Sequence, residues 1–310
     1  MADTARPRLV DAHHHVWDLA RRPQPWLDAP GHDPIRRSFG TGELRTAATK
    51  AIAGRHLETT VAVQCVASLA ETRELLALAL DDPLIGAVVG WVDLSSPAVG
   101  DTLDELEAGP GGSCLRAVRH LVQGEQDPGW LQRLTVEKGL RAVRDHGLGY
   151  DVLVRSHQLA QAIRLAERIP GLPLVLDHAG KPPLADGPLA DWERRIRQLA
   201  AHPQVRCKVS GLVTEADHAR WTTADLRPVW DVLLDAFGPR RLMFGSDWPV
   251  CVLAGGWNRW AAAVEELLAD CSPSETEAIC ALTATDFYRL PPQGMSPPDL
   301  SPYRKDPDGP

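Results

Sequence analysis

Three consecutive histidines, His13-His14-His15, follow the apolar run Leu9-Val10-Asp11-Ala12. A short run of branched residues reads as a buried strand. Side chains two apart on a strand share a face, so His13 and His15 point together and His14 points elsewhere. Two imidazoles converging at a strand end can bind a metal or polarise a carbonyl. A purification tag would be longer and would sit outside the fold, whereas this run continues an apolar strand. Far along the chain, Leu242-Met243-Phe244-Gly245-Ser246-Asp247-Trp248-Pro249 ends another strand-like run with a carboxylate. Imidazoles and a carboxylate together are the parts of water activation.

Those residues must be brought together by the elements that carry them. Eight β-branched runs recur: Leu9–His13, Thr59–Val66, Ile85–Leu94, Leu115–Val122, Tyr150–Arg155, Leu174–His178, Val205–Leu212 and Leu242–Asp247. Amphipathic segments lie between most of them, at Glu71–Leu80, Trp130–His146, Leu159–Arg168, Asp191–Ala201, Ala224–Phe237 and Trp257–Asp270. Alternating strands and helices imply right-handed crossovers and a parallel sheet. Eight such units in about 250 residues predict a closed (β/α)8 TIM barrel. No G-x-G-x-x-G follows the first strand, which removes the main reason to prefer a dinucleotide fold. Ser272-Pro273-Ser274-Glu275 carries a capping serine, a proline at the first helical position and a glutamate at the third. Pro273–Tyr288 is therefore expected to be an extra C-terminal helix. The reading is one barrel domain over residues 8–290, with a disordered Pro-rich tail over 291–310. A long excursion, Asp18–Gly40, leaves the presumed mouth after the first strand, and long loops in compact domains are usually functional or disordered.

Composition narrows the function classes. The 310 residues are 44% hydrophobic, enough for a large core. A net charge of −8 argues against a nucleic-acid or anionic-membrane surface. The chain has no 18-residue apolar run, and its first residues lack the core of a signal peptide, so a cytoplasmic location is expected. The six cysteines form no C-x-x-C pair and read as reduced core residues. Ten tryptophans against three tyrosines and four phenylalanines suggest aromatic walls for a pocket.

Active sites of such barrels sit at the C-terminal ends of the strands. Collected there are His13 and His15, Gln64, Trp91 and Asp93, Arg119 and His120, Arg155 and His157, Asp177, His178 and Lys181, Lys208 and Ser210, and Asp247. Apolar packing explains none of these charges so close to buried strands. Arg119, Asp177 and Lys208 either close the barrel as ion pairs or act directly. Gln64 and Ser210 either satisfy backbone groups or line the site, and Asp93 reads as a helix cap. His32, His56, His146, His202 and His218 fall in helices or loops and read as surface residues.

The strand-one His-x-His, strand-six histidine and strand-eight aspartate resemble the amidohydrolase superfamily. Asp11-Ala12-His13-His14-His15-Val16-Trp17, Gly90-Trp91-Val92-Asp93-Leu94, Asp177-His178-Ala179-Gly180-Lys181-Pro182, Lys208-Val209-Ser210-Gly211-Leu212 and Phe244-Gly245-Ser246-Asp247-Trp248-Pro249-Val250-Cys251 resemble its sugar-lactonase branch. That branch includes lactonases for L-fuconolactone, L-rhamnonolactone and 2-pyrone-4,6-dicarboxylate. The resemblance implies a hydrolase that opens a small lactone, with Asp247 as the base and His13, His15 and His178 polarising the carbonyl. Arg119, His120, Gln64, Arg155, His157 and Lys181 would bind substrate, and Trp17, Trp26, Trp91 and Trp248 would wall a sugar ring. The only partner expected is the lactone itself, in a monomer or homodimer.

Metal-dependent members of the superfamily carry a histidine at the end of strand five. Here that run reads Tyr150-Asp151-Val152-Leu153-Val154-Arg155, with His157 two residues on. The resemblance therefore leaves two forms of the site: no required metal, or a single divalent ion such as zinc at His13, His15 and Asp247. Two other functions compete with lactone hydrolysis, a zinc-dependent decarboxylase of the same superfamily and a non-catalytic sugar-acid-binding barrel. Bound zinc would mark the first. Mere binding has no use for a base such as Asp247, which argues against the second.

Overall fold

A computed structural model describes residues 7–291. Eight parallel strands lie in chain order, β1 Arg8–His14, β2 His56–Val63, β3 Ile85–Gly90, β4 Leu115–His120, β5 Gly149–Val152, β6 Leu174–Leu176, β7 Val205–Val209 and β8 Leu242–Phe244. The circle closes beyond β8, where the Asp247 amide donates to the His13 carbonyl (2.8 Å) and the His15 amide to the Trp248 carbonyl (2.7 Å). The predicted eight-fold barrel is the observed one.

Helices cover the outside: α1 Thr41–Ala47, α2 Leu69–Asp81, α3 Val99–Ala108, α4 Leu134–Asp145, α5 Leu159–Arg168, α6 Ala190–Ala200, α7 Thr223–Phe237 and α8 Gly256–Leu267. Two of them, α1 and α3, are not among the expected segments. Each is short, and α3 buries only Val99, Leu103 and Leu106 in a charged run, too faint a stripe to stand out by periodicity. Trp130–Gln132 forms a separate 3-10 turn, and Arg133 is extended before α4 begins. The extra C-terminal segment is present as α9 Pro273–Glu277, a π-helical turn over Ala278–Leu282, and α10 Thr283–Tyr288. Ser272 caps α9 as its sequence predicts, accepting from the Glu275 amide. Residues 292–310 of the expected tail lie outside the described residues. No helix among the described residues is long and apolar enough to cross a membrane.

The barrel interior explains how the site is held. Its lower part is apolar, with Val10, Ala12, Val61, Val63, Ala87, Val89, Ala117, Val175 and Met243 packed on Ala281, Ala284 and Tyr288 from the C-terminal segment. One pleat higher on β4, β5 and β7, and just past β6, the same alternation presents Arg119, Asp151, Lys208 and Asp177. All four are buried. The register of β1 breaks between Asp11 and His14, which lets His13 enter the interior directly after Ala12. Several strands end two to four residues earlier than their apolar runs. β6 stops at Leu176 and β8 at Phe244, so His178 and Asp247 lie just past the ladder rather than on it.

Candidate active site

Asp247 and His178 stand in the left-handed region, with φ of 54° and 52°. Such backbone costs about 1–3 kcal/mol per residue and persists where surrounding contacts over-determine it. At Asp247 those contacts are visible. Buried Asp11 accepts from the Ser246 amide (2.8 Å), the Ser246 hydroxyl (2.5 Å) and the His13 amide (3.1 Å). One carboxyl thus ties the end of β1 to the loop after β8. Burial first of all raises the Asp11 pKa to about 7, against these hydrogen bonds. Asp11 was not among the sequence-derived site residues, although its place before the histidine run, inside an apolar strand, marks it as a buried acid.

Around Asp247 the imidazoles converge. Its Oδ1 lies 3.7 Å from His13 Nε2, 3.6 Å from His15 Nε2 and 3.9 Å from His178 Nε2. His13 Nε2 and His15 Nε2 are 3.2 Å apart, and His15 Nδ1 meets the Val63 carbonyl at 2.7 Å. Ser210 Oγ holds His178 Nδ1 at 2.9 Å. Burial works against the Asp247 carboxylate, but His178, the hydrogen bond with His15, and Lys181 outweigh it and hold its pKa below the ordinary value. Burial pushes the His178 pKa down to about 4, against the pull of Asp247, so this ring is neutral at neutral pH. The cluster therefore presents one ionised carboxylate and a neutral His178 in a nearly closed space.

Beneath it the charged layer is wired together. Lys208 Nζ reaches Asp151 Oδ2 (2.5 Å), Asp177 Oδ1 (3.0 Å) and His13 Nδ1 (3.0 Å). Arg119 Nη1 donates to Asp177 Oδ2 at 2.9 Å, and its Nη2 donates to the Gln64 carbonyl and to Gln64 Oε1 (3.1 Å). Tyr288 in α10 donates to Asp151 Oδ2 at 2.8 Å. Two cations face two carboxylates, so the layer is neutral overall, as a buried ionic group must be to survive. Arg119 and Gln64 are thus committed to a buried network at the floor of the site, Arg119 lying 3.4 Å from His13 Nε2. Asp151 and Tyr288 are participants that sequence reasoning missed. A lone acid within the β5 run was a signal for the first, and nothing marked the second.

Other expected site residues lie further out. His120 stacks on Trp130 at 3.9 Å, receives the Trp91 indole N–H (3.1 Å) and contacts Glu125 (2.7 Å). Lys181 pairs with Glu215 at 3.0 Å and is partly exposed. Trp17 packs edge-on against Trp26 and Phe39, and Phe39 against Trp248. Trp17 and Trp248 are buried in this cluster, and Trp26 is half-buried. The cluster also fastens the Asp18–Gly40 excursion, whose ends are joined by paired backbone bonds between Trp17 and Phe39. Arg155 and His157 are exposed, and their side chains make no hydrogen bond or ion pair among the described residues. Asp93 does not cap α3. Its carboxylate takes the amide and hydroxyl of Ser95, and the helix starts only at Val99.

The donor set also fits a metal. His13 Nε2, His15 Nε2 and Asp247 Oδ1 can each offer one ligand atom, at mutual distances of 3.2, 3.6 and 3.7 Å. Tetrahedral bonds of about 2.0–2.1 Å put donors about 3.3–3.4 Å apart.

A parallel eight-stranded barrel with a carboxylate and three imidazoles at its C-terminal mouth defines an enzyme built for water activation. The chain belongs to the amidohydrolase family, whose profile matches residues 10–290. It is 40% identical over 293 residues to an L-fucono-1,5-lactonase of Burkholderia multivorans, covering 91% of this chain and 96% of that protein. An L-fucono-1,5-lactonase of Burkholderia ambifaria is 35% identical over 285 residues, covering 91% and 95%. A solved amidohydrolase structure from Burkholderia multivorans with bound zinc superimposes with a TM-score of 0.83 at 38% identity, covering 92% of this chain and all of that one.

Proposed function

We propose that this enzyme opens a sugar aldonolactone, of the L-fucono- or L-rhamnono-lactone kind, by hydrolysis of its ester bond. The observation that carries the reading is Asp247, ionised and buried among His13, His15 and His178 in a chain 40% identical to an L-fucono-1,5-lactonase. Asp247 takes a proton from water as the oxygen attacks the lactone carbonyl. Imidazole N–H groups face the carbonyl oxygen as it gains charge, and removal of one such donor typically costs ~10²–10³ in rate. The ring C–O bond then breaks, and the proton held by Asp247 passes to the leaving alkoxide, giving the open hydroxy acid. His120, Trp91, Trp26, Trp17, Trp248, Lys181, Arg155 and His157 are the candidates for substrate binding, while Gln64 and Arg119 serve the buried network beneath the site. Of these, Lys181, Trp91 and His120 are polar or amphipathic groups left partly accessible near strand ends.

Catalysis in this proposal has no obligatory metal. A divalent ion at His13, His15 and Asp247 is the second reading, favoured by the zinc-bound relative. When bound it would act as a Lewis acid on the carbonyl and lower the pKa of water. A pH-indicator assay against a panel of L- and D-aldonolactones, with and without chelator, tests both. Acid release that survives chelation supports the proposal. Release lost on chelation and restored by zinc replaces it with the second reading, and silence across the panel refutes lactone hydrolysis.

A further inference from the structure

We propose that Lys208 is a positioning residue that holds the His13 ring proton on Nε2. It thereby makes His13 a hydrogen-bond donor to His15 Nε2 and disfavours its use as a metal ligand. The inference rests on the reading of His13 as a group that faces the reacting carbonyl or an ion, and it goes beyond that reading by naming what sets the ring's state.

A chain of contacts runs through the two rings, and the groups at its ends can each play only one part. The Val63 carbonyl only accepts, so His15 Nδ1, 2.7 Å away, carries hydrogen. With Nδ1 occupied in this way, Nε2 is the position on His15 that can accept. His13 Nε2 lies 3.2 Å from that nitrogen and donates to it. His13 Nδ1 is then the acceptor, and the group in front of it at 3.0 Å is the Lys208 ammonium, which only donates. All three contacts agree on one proton arrangement.

The competing arrangement puts the proton on Nδ1. It would pair Nδ1 with Asp177 Oδ1 over 3.4 Å and let Arg119 Nη1 donate to Nε2 over 3.4 Å. Both contacts are longer, and the Nδ1 hydrogen would stand among the Lys208 hydrogens. That second tautomer is nevertheless the one a metal needs, because it frees the Nε2 lone pair toward His15 and Asp247. Lys208 and Asp177 therefore compete for one ring nitrogen, and the winner decides what the other nitrogen can do. Asp151 and Tyr288 decide the contest at one remove. Asp151 Oδ2 lies 2.5 Å from Lys208 Nζ, and Tyr288 donates to the same oxygen.

Two measurements test this without any lactone. In the metal-free wild-type protein, long-range ¹⁵N–¹H spectra assigned with His13→Gln should show His13 protonated at Nε2 and bare at Nδ1. A ring protonated at Nδ1 overturns the proposal. The second measurement is zinc affinity, by competition with a chromophoric chelator, in the double variant Asp151→Asn, Lys208→Met. This pair removes one charge of each sign, keeps an acceptor for Tyr288, and leaves Asp177 alone beside Nδ1. Zinc binding should tighten about tenfold or more, the scale on which partners behind a ligand tune a metal site. A folded double variant that binds zinc no better than wild type also overturns it. If that variant does not fold, the wild-type spectrum decides alone. A protein silent on every lactone yet protonated at His13 Nε2 would refute the proposed function and leave this inference standing.

Discussion

Gly211→Ala is the sharpest perturbation the site offers, because it adds one methyl group and removes no functional atom. Gly211 follows Ser210 just after β7, with φ of +61°. A Cβ there would lie 2.5 Å from His178 Nδ1, 2.8 Å from its Cγ and 3.2 Å from Asp247 Oδ2. Ordinary contacts begin near 3.4 Å, so His178 must retreat by about 0.9 Å, the difference between those two distances. The retreat stretches its 2.9 Å contact with Ser210 and draws Nε2 away from Asp247. A misplacement of about 1 Å in a catalytic group can cost about 10²-fold in rate. The positive φ adds only about 1–2 kcal/mol of folding strain. Lactone turnover followed by pH indicator should therefore show kcat/KM lowered about 100-fold, with the far-ultraviolet circular dichroism of wild type and a modestly lower Tm. Activity within about threefold of wild type would refute the placement of His178 beside the reacting carbonyl.

Three further outcomes follow from the same geometry. His14 is fully buried, and neither ring nitrogen has a hydrogen-bond partner among the described residues. Burial, then its neighbour His15, lowers its pKa from 6.5 to about 3. The native state thus binds fewer protons than the unfolded one, and the stability is lost as pH falls from about 6.5 towards 3. Each pH unit is worth about 1.36 kcal/mol. Urea denaturation should show His14→Leu gaining about 2 kcal/mol on wild type between pH 8 and pH 5, and an unchanged gap would contradict the account. Protonating His178 puts a cation against the Asp247 carboxylate and weakens it as a base, and the His178 pKa is near 4, so the acid limb of kcat/KM should fall near pH 4. A limb near 6.5 would show a solvated, unperturbed histidine instead. Ser246→Ala leaves buried Asp11 Oδ2 without the hydroxyl at 2.5 Å, and should lower stability by about 1–3 kcal/mol in thermal unfolding. No loss would show that the clasp between β1 and the β8 loop is dispensable.

Much of this molecule was legible in the sequence because period-two alternation and branched runs record burial directly. The eight strands, α5 and the capped start of α9 are read that way. The four groups His13, His15, His178 and Asp247 were legible because charge at the end of an apolar run has no packing explanation. What escaped notice lies where the pattern says nothing about contacts. The break in β1 that admits His13 after Ala12 is a register event, and alternation assumes constant register. Arg119 and Gln64 look like substrate groups by position, yet their hydrogen bonds are spent on Asp177 and on each other. Tyr288 comes from 137 residues beyond Asp151, and no local signal can announce such a contact. Arg155 and His157 are near a strand end in sequence but face solvent, since β5 stops at Val152.

The role proposed for Asp247 is activation of water for attack on a lactone. Its most direct test compares wild type with Asp247→Asn on the aldonolactone the panel selects, both proteins with matching circular dichroism. The amide keeps the shape and the neighbouring imidazoles but cannot take a proton from water. In that variant kcat should fall by at least about 10²-fold, the low end of what a positioned base supplies. An Asp247→Asn enzyme that opens the lactone at the wild-type rate would contradict it.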